Sequence, residues 1–196
     1  MRSQAVAGLA TAAATPLSWP AGDVTHVRRA ALLHDLGRLG ISNAVWDKPG
    51  PLTPAEIERV RLHPYLTERM LASSPALARL GATAAQYHER IDGSGYPHGL
   101  RGDAMTPAGK LLAAADAYAA KLEPRPHRPA LAAADAAAYL RAEVRAARHD
   151  AESAEAVLKA AGHLVRRRRE WPAGLTTREV AVLRLLARGL SNKADR

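Results

Sequence analysis

The chain has 196 residues, a net charge of +9 and no cysteine. This length suits one or two domains with ample chain to bury a core. The lack of cysteine excludes disulfides, thiol nucleophiles and cysteine metal sites, leaving His, Asp and Glu as possible ligands. No apolar run approaches the roughly 20 residues a membrane span needs, and Ala5 to Ala10 after Arg2 is too poor in Leu for a secretory leader. A cytoplasmic protein without a membrane partner is expected.

Phe is absent while Ala, Leu and Arg, all good helix formers, abound, and no period-two β-branched run occurs. The expected fold is all-α. The charge is uneven: residues 1–120 carry +2 and residues 121–196 carry +7. A basic C-terminal part points to a polyanion partner, nucleic acid being the most common.

In chain order, residues 3–14 predict a first helix, ended by Pro16 and the turn Ser18 to Gly22. Asp23 is a candidate cap for the next helix, which carries Val27, Ala31 and His34 at helical spacing. His34 and Asp35 then stand side by side after Leu32 and Leu33, and Gly37 falls where the helix should end. A carboxylate amid leucines costs several kcal/mol to bury unless a positive group meets it. A metal ion would meet both side chains; a capping or salt-bridged Asp beside a core His is the alternative.

Asn43 to Pro51 reads as irregular, and Thr53-Pro54-Ala55-Glu56 as a capping box with Pro in the first turn. That helix runs to Leu62-His63-Pro64, and a further one carries Met70 and Leu71 before Ser73-Ser74-Pro75. Leu77 to Glu89 is helical again and places His88 near its end. Arg90 to Asp103 holds four glycines within ten residues, which no regular element tolerates. Thr106-Pro107 starts a helix containing Asp116, a second acid in an apolar setting. Ala130 to Arg148 and Ala151 to Ala161 are Ala-rich helices. His26, His98, His127, His149 and His163, with Trp19, Trp46 and Trp171, read as surface or packing residues.

The candidate ligands are therefore His34, Asp35, His63, His88 and Asp116. Together with His34-Asp35-Leu36-Gly37-Arg38-Leu39-Gly40, Lys48-Pro49-Gly50-Pro51-Leu52-Thr53, His63-Pro64, His88-Glu89-Arg90-Ile91-Asp92-Gly93-Ser94-Gly95-Tyr96-Pro97, Ala115-Asp116-Ala117-Tyr118 and Arg125-Pro126, they make the chain resemble the HD-GYP metal-dependent phosphohydrolases over about residues 2–140. The resemblance implies a helical bundle holding two or three ions, usually iron or manganese, that hydrolyses cyclic di-GMP. By position, His34, Asp35, His63, His88 and Asp116 would be metal ligands, with Asp35 bridging, and Asp35 and Arg38 would be catalytic. Arg38, which stands where the family usually has Lys, would contact the substrate with Arg90, Gly95 and Tyr96.

Three departures reduce that expectation to one or two ions and weakened hydrolysis. Arg2 falls where the family has a first-helix His or Glu ligand, Tyr87 replaces the first of two consecutive His, and Ala119 occupies a common Asp position.

From Leu175-Thr176-Thr177-Arg178-Glu179-Val180 to Ser191-Asn192-Lys193, the tail resembles the start of a LuxR-type helix-turn-helix, whose recognition helix would follow. The expected organisation is an HD-GYP-like domain over 1–162, a basic linker over 163–174 and an incomplete helix-turn-helix over 175–196. Arg166, Arg167, Arg168 and Arg169 are candidate DNA contacts, and a homodimer is expected. Two functions follow: a cyclic dinucleotide phosphodiesterase, or a degenerate sensor or dimerisation module of a DNA-binding regulator.

Overall fold

The computed structural model describes residues 2–124 and 129–163, together with Leu183 and Ala187. The chain divides into two compact units, Met1–Leu164 and Val165–Arg196. The tail readings, the Arg166 to Arg169 run, Trp171, and the Arg125-Pro126 and His127 positions lie outside the described residues.

The first unit is helical as expected, with helices α1 (Arg2–Ala14), α2 (Ala21–Leu33), α3 (Asn43–Trp46), α4 (Pro54–Arg61), α5 (His63–Ala72), α6 (Pro75–Ala84), α7 (Pro107–Leu122), α8 (Ala133–Arg145) and α9 (Ala151–Ala160). Among the described residues the only β pairing is an isolated bridge between Asp92 and Arg101 within the glycine-rich loop.

Helix α7 is the axis. Its residues from Leu111 to Ala119 are all buried, which is the pattern of a helix surrounded by others rather than lying on a surface. It packs against α1, α8, α9, α2 and α6. Small side chains permit this crowding: Ala7, Ala10, Ala13 and Ala14 of α1, Ala30 and Ala31 of α2, and Ala114 and Ala115 of α7 share one core with Leu111, Leu112, Leu140 and Leu158. Alanine at helix contacts allows close interaxial approach, and each buried Leu contributes about 1.5–3 kcal/mol.

Several local expectations are corrected. Helix α2 starts at Ala21 after Pro20, so Asp23 lies in the first turn and is not the cap. It ends at Leu33, before His34, and a 3₁₀ turn over Leu36–Gly40 follows. Asn43 to Trp46, read as irregular, forms the short helix α3, capped by Ser42. The helix expected over 77–89 starts earlier, at Pro75, and tightens to 3₁₀ geometry over Ala85–His88, leaving Glu89 extended. The capping box at Thr53 and Glu56 is present, with Lys48 Nζ 2.6 Å from Glu56 Oε2.

Candidate active site

The site forms where helix ends converge on the buried face of α7. His34 and Asp35 leave the C-terminus of α2, His63 opens α5, Tyr87 and His88 end the 3₁₀ turn after α6, and Asp116 projects from α7. Thr67 fastens the first two together. Its Oγ1 donates toward the carbonyls of His34 (3.0 Å) and His63 (3.1 Å) and accepts from Gly37 N at 2.8 Å. That approach requires glycine at 37: a Cβ there would lie 2.5 Å from Thr67 N and closer still to the His63 carbonyl oxygen.

His34 is fully buried. Its Nδ1 lies 2.6 Å from the Ala31 carbonyl, an oxygen that only accepts, so Nδ1 carries the proton. Nε2 then points without a hydrogen-bond partner at Asp116 Oδ1 (3.6 Å) and Asp35 Oδ2 (3.7 Å). A lone pair aimed at two carboxylates is unfavourable unless a cation or proton lies between them. Burial lowers the His34 pKa, but Asp116 and Asp35 outweigh it and the net shift is upward.

His63 repeats the geometry. Nδ1 meets the Val60 carbonyl, and Nε2 meets the Tyr87 hydroxyl, which also lies 2.9 Å from Asp35 Oδ1. Tyr87 has one proton for these two acceptors. Burial lowers the pKa of His63 and brings that of His88 down to about 3, keeping both imidazoles neutral. The His88 ring is held between Tyr87 (centroids 4.0 Å) and Tyr96 (4.7 Å).

Asp116, 3% exposed, has its cation: Arg2 Nε and Nη2 donate to Oδ1 at 3.1 and 2.6 Å. Burial would raise the Asp116 pKa, yet His34 and Arg2 hold it well below the usual carboxylate range. The acid in the apolar helix thus has a guanidinium partner.

As arranged, no group of three or more His, Asp or Glu side chains among the described residues is set to hold a metal ion. The donor chemistry nevertheless fits one divalent ion: His34 Nε2 is orphaned and faces two carboxylates, so the three side chains offer a neutral-imidazole and carboxylate ligand set. It does not fit a second, because Arg2 offers no lone pair and Tyr87 already bridges His63 and Asp35.

Above the cluster a cleft of about 450 Å³ is lined by Arg2, Asp35, Arg38, Trp46 and Lys48 among others. Arg38 Cζ sits 3.9 Å over the Trp46 ring, and Trp46 Nε1 donates to the Arg38 carbonyl at 3.3 Å. Trp46, expected as packing alone, therefore lines the cleft and fixes Arg38. Tyr96 reaches the cluster through His88. Arg90 Nη1 donates to the Glu89 carbonyl at 2.7 Å. Gly95 is needed for the loop to close on itself, since a Cβ there would collide with the backbone of Glu89 and Arg90.

Glu89 is the residue sequence reasoning passed over. It is fully buried, and its carboxylate accepts from His98 N (2.7 Å) and Leu100 N (2.9 Å), pinning the glycine-rich loop to the end of the His88 turn. An acid beside His88 and ahead of a glycine-rich loop was the available signal. His26, His98 and His163 bond to Thr83, Glu68 and Tyr118, away from the ligand cluster, and His149 is buried with an unpartnered Nε2.

Fold and site together define a helical domain built around an adjacent His-Asp pair, His34 buried and Asp35 partly exposed. The chain belongs to the HD domain family, which it matches over residues 1–153. It is 43% identical over 105 residues to the 3′3′-cGAMP-specific phosphodiesterase 3 of Vibrio cholerae, covering 54% of this chain and 23% of that protein. It is 36% identical over 165 residues to the cyclic di-GMP phosphodiesterase response regulator RpfG of Xanthomonas campestris, covering 83% and 43%. Bd1817, a HDG"Y"P protein from Bdellovibrio bacteriovorus, superposes with a TM-score of 0.67 at 20% identity, over 82% of this chain and 51% of that one. The chain thus spans less than half the length of these curated relatives. Among the described residues no helix is long and apolar enough to cross a membrane.

Proposed function

We propose that this domain is a phosphodiesterase of the HD-GYP class acting on a cyclic dinucleotide, of the cyclic di-GMP type, with hydrolysis weakened by the replaced ligands. The observation that carries the reading is His34 Nε2, buried and unpartnered between Asp35 and Asp116, with Asp35 itself lining a cleft that Arg2, Arg38 and Lys48 also line. His34, Asp35 and Asp116 would hold a divalent ion, iron or manganese by the resemblance. Once bound it supplies Lewis-acid polarisation of a phosphoryl oxygen. His63 and His88 complete the ligand set in the resemblance.

The chain's own residues provide the remainder. Arg38, braced on Trp46, presents a guanidinium to phosphoryl oxygens. Tyr96 and the loop pinned by Glu89 close over the substrate, with Arg90 and Gly95 setting its path. Support also comes from the relatives named above, whose names give cyclic di-GMP or 3′3′-cGAMP as substrates.

A second reading is favoured by the Arg2–Asp116 pair: a degenerate module that binds the dinucleotide without cleaving it, in a homodimeric LuxR-type regulator contacting DNA through Arg166 to Arg169. Metal content per chain, followed by cyclic di-GMP hydrolysis with added manganese or iron, separates the two. A bound ion and a linear product are expected; a metal-free protein that binds cyclic di-GMP without product would replace the first reading by the second.

A further inference from the structure

We infer that Arg2 is the resident counter-cation of this centre, holding Asp116 while no metal is bound and withdrawing into the cleft when an ion enters, so that the centre takes one ion and not two. The inference rests on reading the cluster as a metal centre.

Asp116 is almost wholly buried on α7, and a carboxylate in that position without a cation is strongly unfavourable. Arg2 meets the need with two N–H groups on one oxygen, Oδ1. That same oxygen is the one nearest His34 Nε2. A divalent ion shared by Nε2 and Oδ1 at ligand distances of about 2.1 Å would sit beside the guanidinium nitrogen, itself 2.6 Å from Oδ1. Two cations on one carboxylate oxygen repel, and in a buried site that repulsion is poorly screened. Guanidinium and ion are therefore competitors for Asp116.

The fold gives Arg2 somewhere to go. Its backbone is fixed, because Val6, Ala7 and Ala10 of the same helix are buried in the core. Its side chain is 16% exposed and lines the 450 Å³ cleft beside Arg38 and Lys48. Rotation about its side-chain bonds carries the charge from Asp116 to the cleft, where a phosphate would receive it. The other half of the centre is occupied too, by the Tyr87 hydroxyl between His63 Nε2 and Asp35 Oδ1. One ion position then remains, at the orphaned nitrogen of His34.

The test titrates the full chain, stripped with chelator, with Mn²⁺ by calorimetry, and records the melting temperature of the metal-free protein. Wild type is expected to bind no more than one ion. Arg2→Gln should bind Mn²⁺ at least tenfold more tightly while melting lower without metal. Arg2→Lys, which keeps the charge, should hold Mn²⁺ affinity near wild type and recover part of the metal-free stability; this variant keeps the test decisive if Arg2→Gln does not fold. Two ions in wild type, or equal Mn²⁺ affinity in all three proteins, would overturn the inference. If equal affinity accompanies cyclic di-GMP hydrolysis, the inference alone fails and the phosphodiesterase reading stands. If none of the proteins takes up Mn²⁺, both fail.

Discussion

Substituting Gly37 by Ala tests whether the site is held by backbone contact. The added Cβ would stand 2.5 Å from Thr67 N and 2.9 Å from Thr67 Oγ1. Ordinary contact begins at 3.4 Å and the His63 carbonyl oxygen lies closer than Thr67 N, so the start of α5 must retreat by more than about 0.9 Å or the turn after α2 must unwind. Either movement strains the bonding of Thr67 Oγ1, which accepts from Gly37 N and shares its one proton between the His34 and His63 carbonyls. Each bond contributes about 1 kcal/mol, and overpacking of this kind costs about 1–3 kcal/mol. We therefore expect a loss of about 3 kcal/mol, seen as a fall of about 6–12 °C in melting temperature for a chain of this size. Urea unfolding followed by circular dichroism measures it. A loss under 1 kcal/mol with an unchanged denaturant slope would refute the close-contact argument. Because the same Thr67 hydroxyl holds the His34 carbonyl, Mn²⁺ affinity should fall together with stability.

Three further outcomes are expected. Glu89→Gln keeps the shape but replaces one acceptor oxygen by a donor facing His98 N or Leu100 N, so stability should drop by about 2 kcal/mol; equal unfolding midpoints would show that the carboxylate does not pin the loop. His149 is buried and its pKa is lowered to about 4, by burial first and then by Arg90. A base whose folded pKa is depressed contributes full stability above its unfolded pKa of 6.5 and loses it as pH falls toward 4. Wild type should thus lose up to about 3 kcal/mol between those values relative to a folded His149→Gln variant, and parallel pH profiles would contradict this. Trp46→Leu removes the ring beneath Arg38 and the bond to its carbonyl. Cyclic di-GMP affinity, read by calorimetry, should weaken about fivefold to thirtyfold, on the order of 1–2 kcal/mol, with Trp46→Phe retaining most of it; identical dissociation constants would remove Arg38 from the binding surface.

The helical class was legible because it depends on local signals. The Thr53–Glu56 capping box, the Thr106-Pro107 start and the breaks at Ser73-Ser74-Pro75 and Pro124 each act within one or two turns, where capping and proline sterics dominate. The site was legible as chemistry, since acids and histidines set into apolar stretches imply buried polar groups that need partners. His34, Asp35, His63 and Asp116 do converge, and His88 meets His63 edge to face beside them. Boundaries were read less well: α2 stops at Leu33, and Gly37 serves a contact with α5 that no local rule encodes.

What the sequence determined alone was which groups require a counter-charge; burial in an apolar helix makes that requirement wherever the chain folds. Which group satisfies it was decided only by tertiary structure. Arg2 and Asp116 are 114 residues apart, and Tyr87 stands 52 positions from Asp35. Packing α1 against α7 puts the guanidinium on the carboxylate, and packing α5 against the turn at His88 puts the phenol between His63 and Asp35. Hydrogen bonds and ion pairs act over a few ångströms, whereas sequence separation carries no information about distance until the helices have packed.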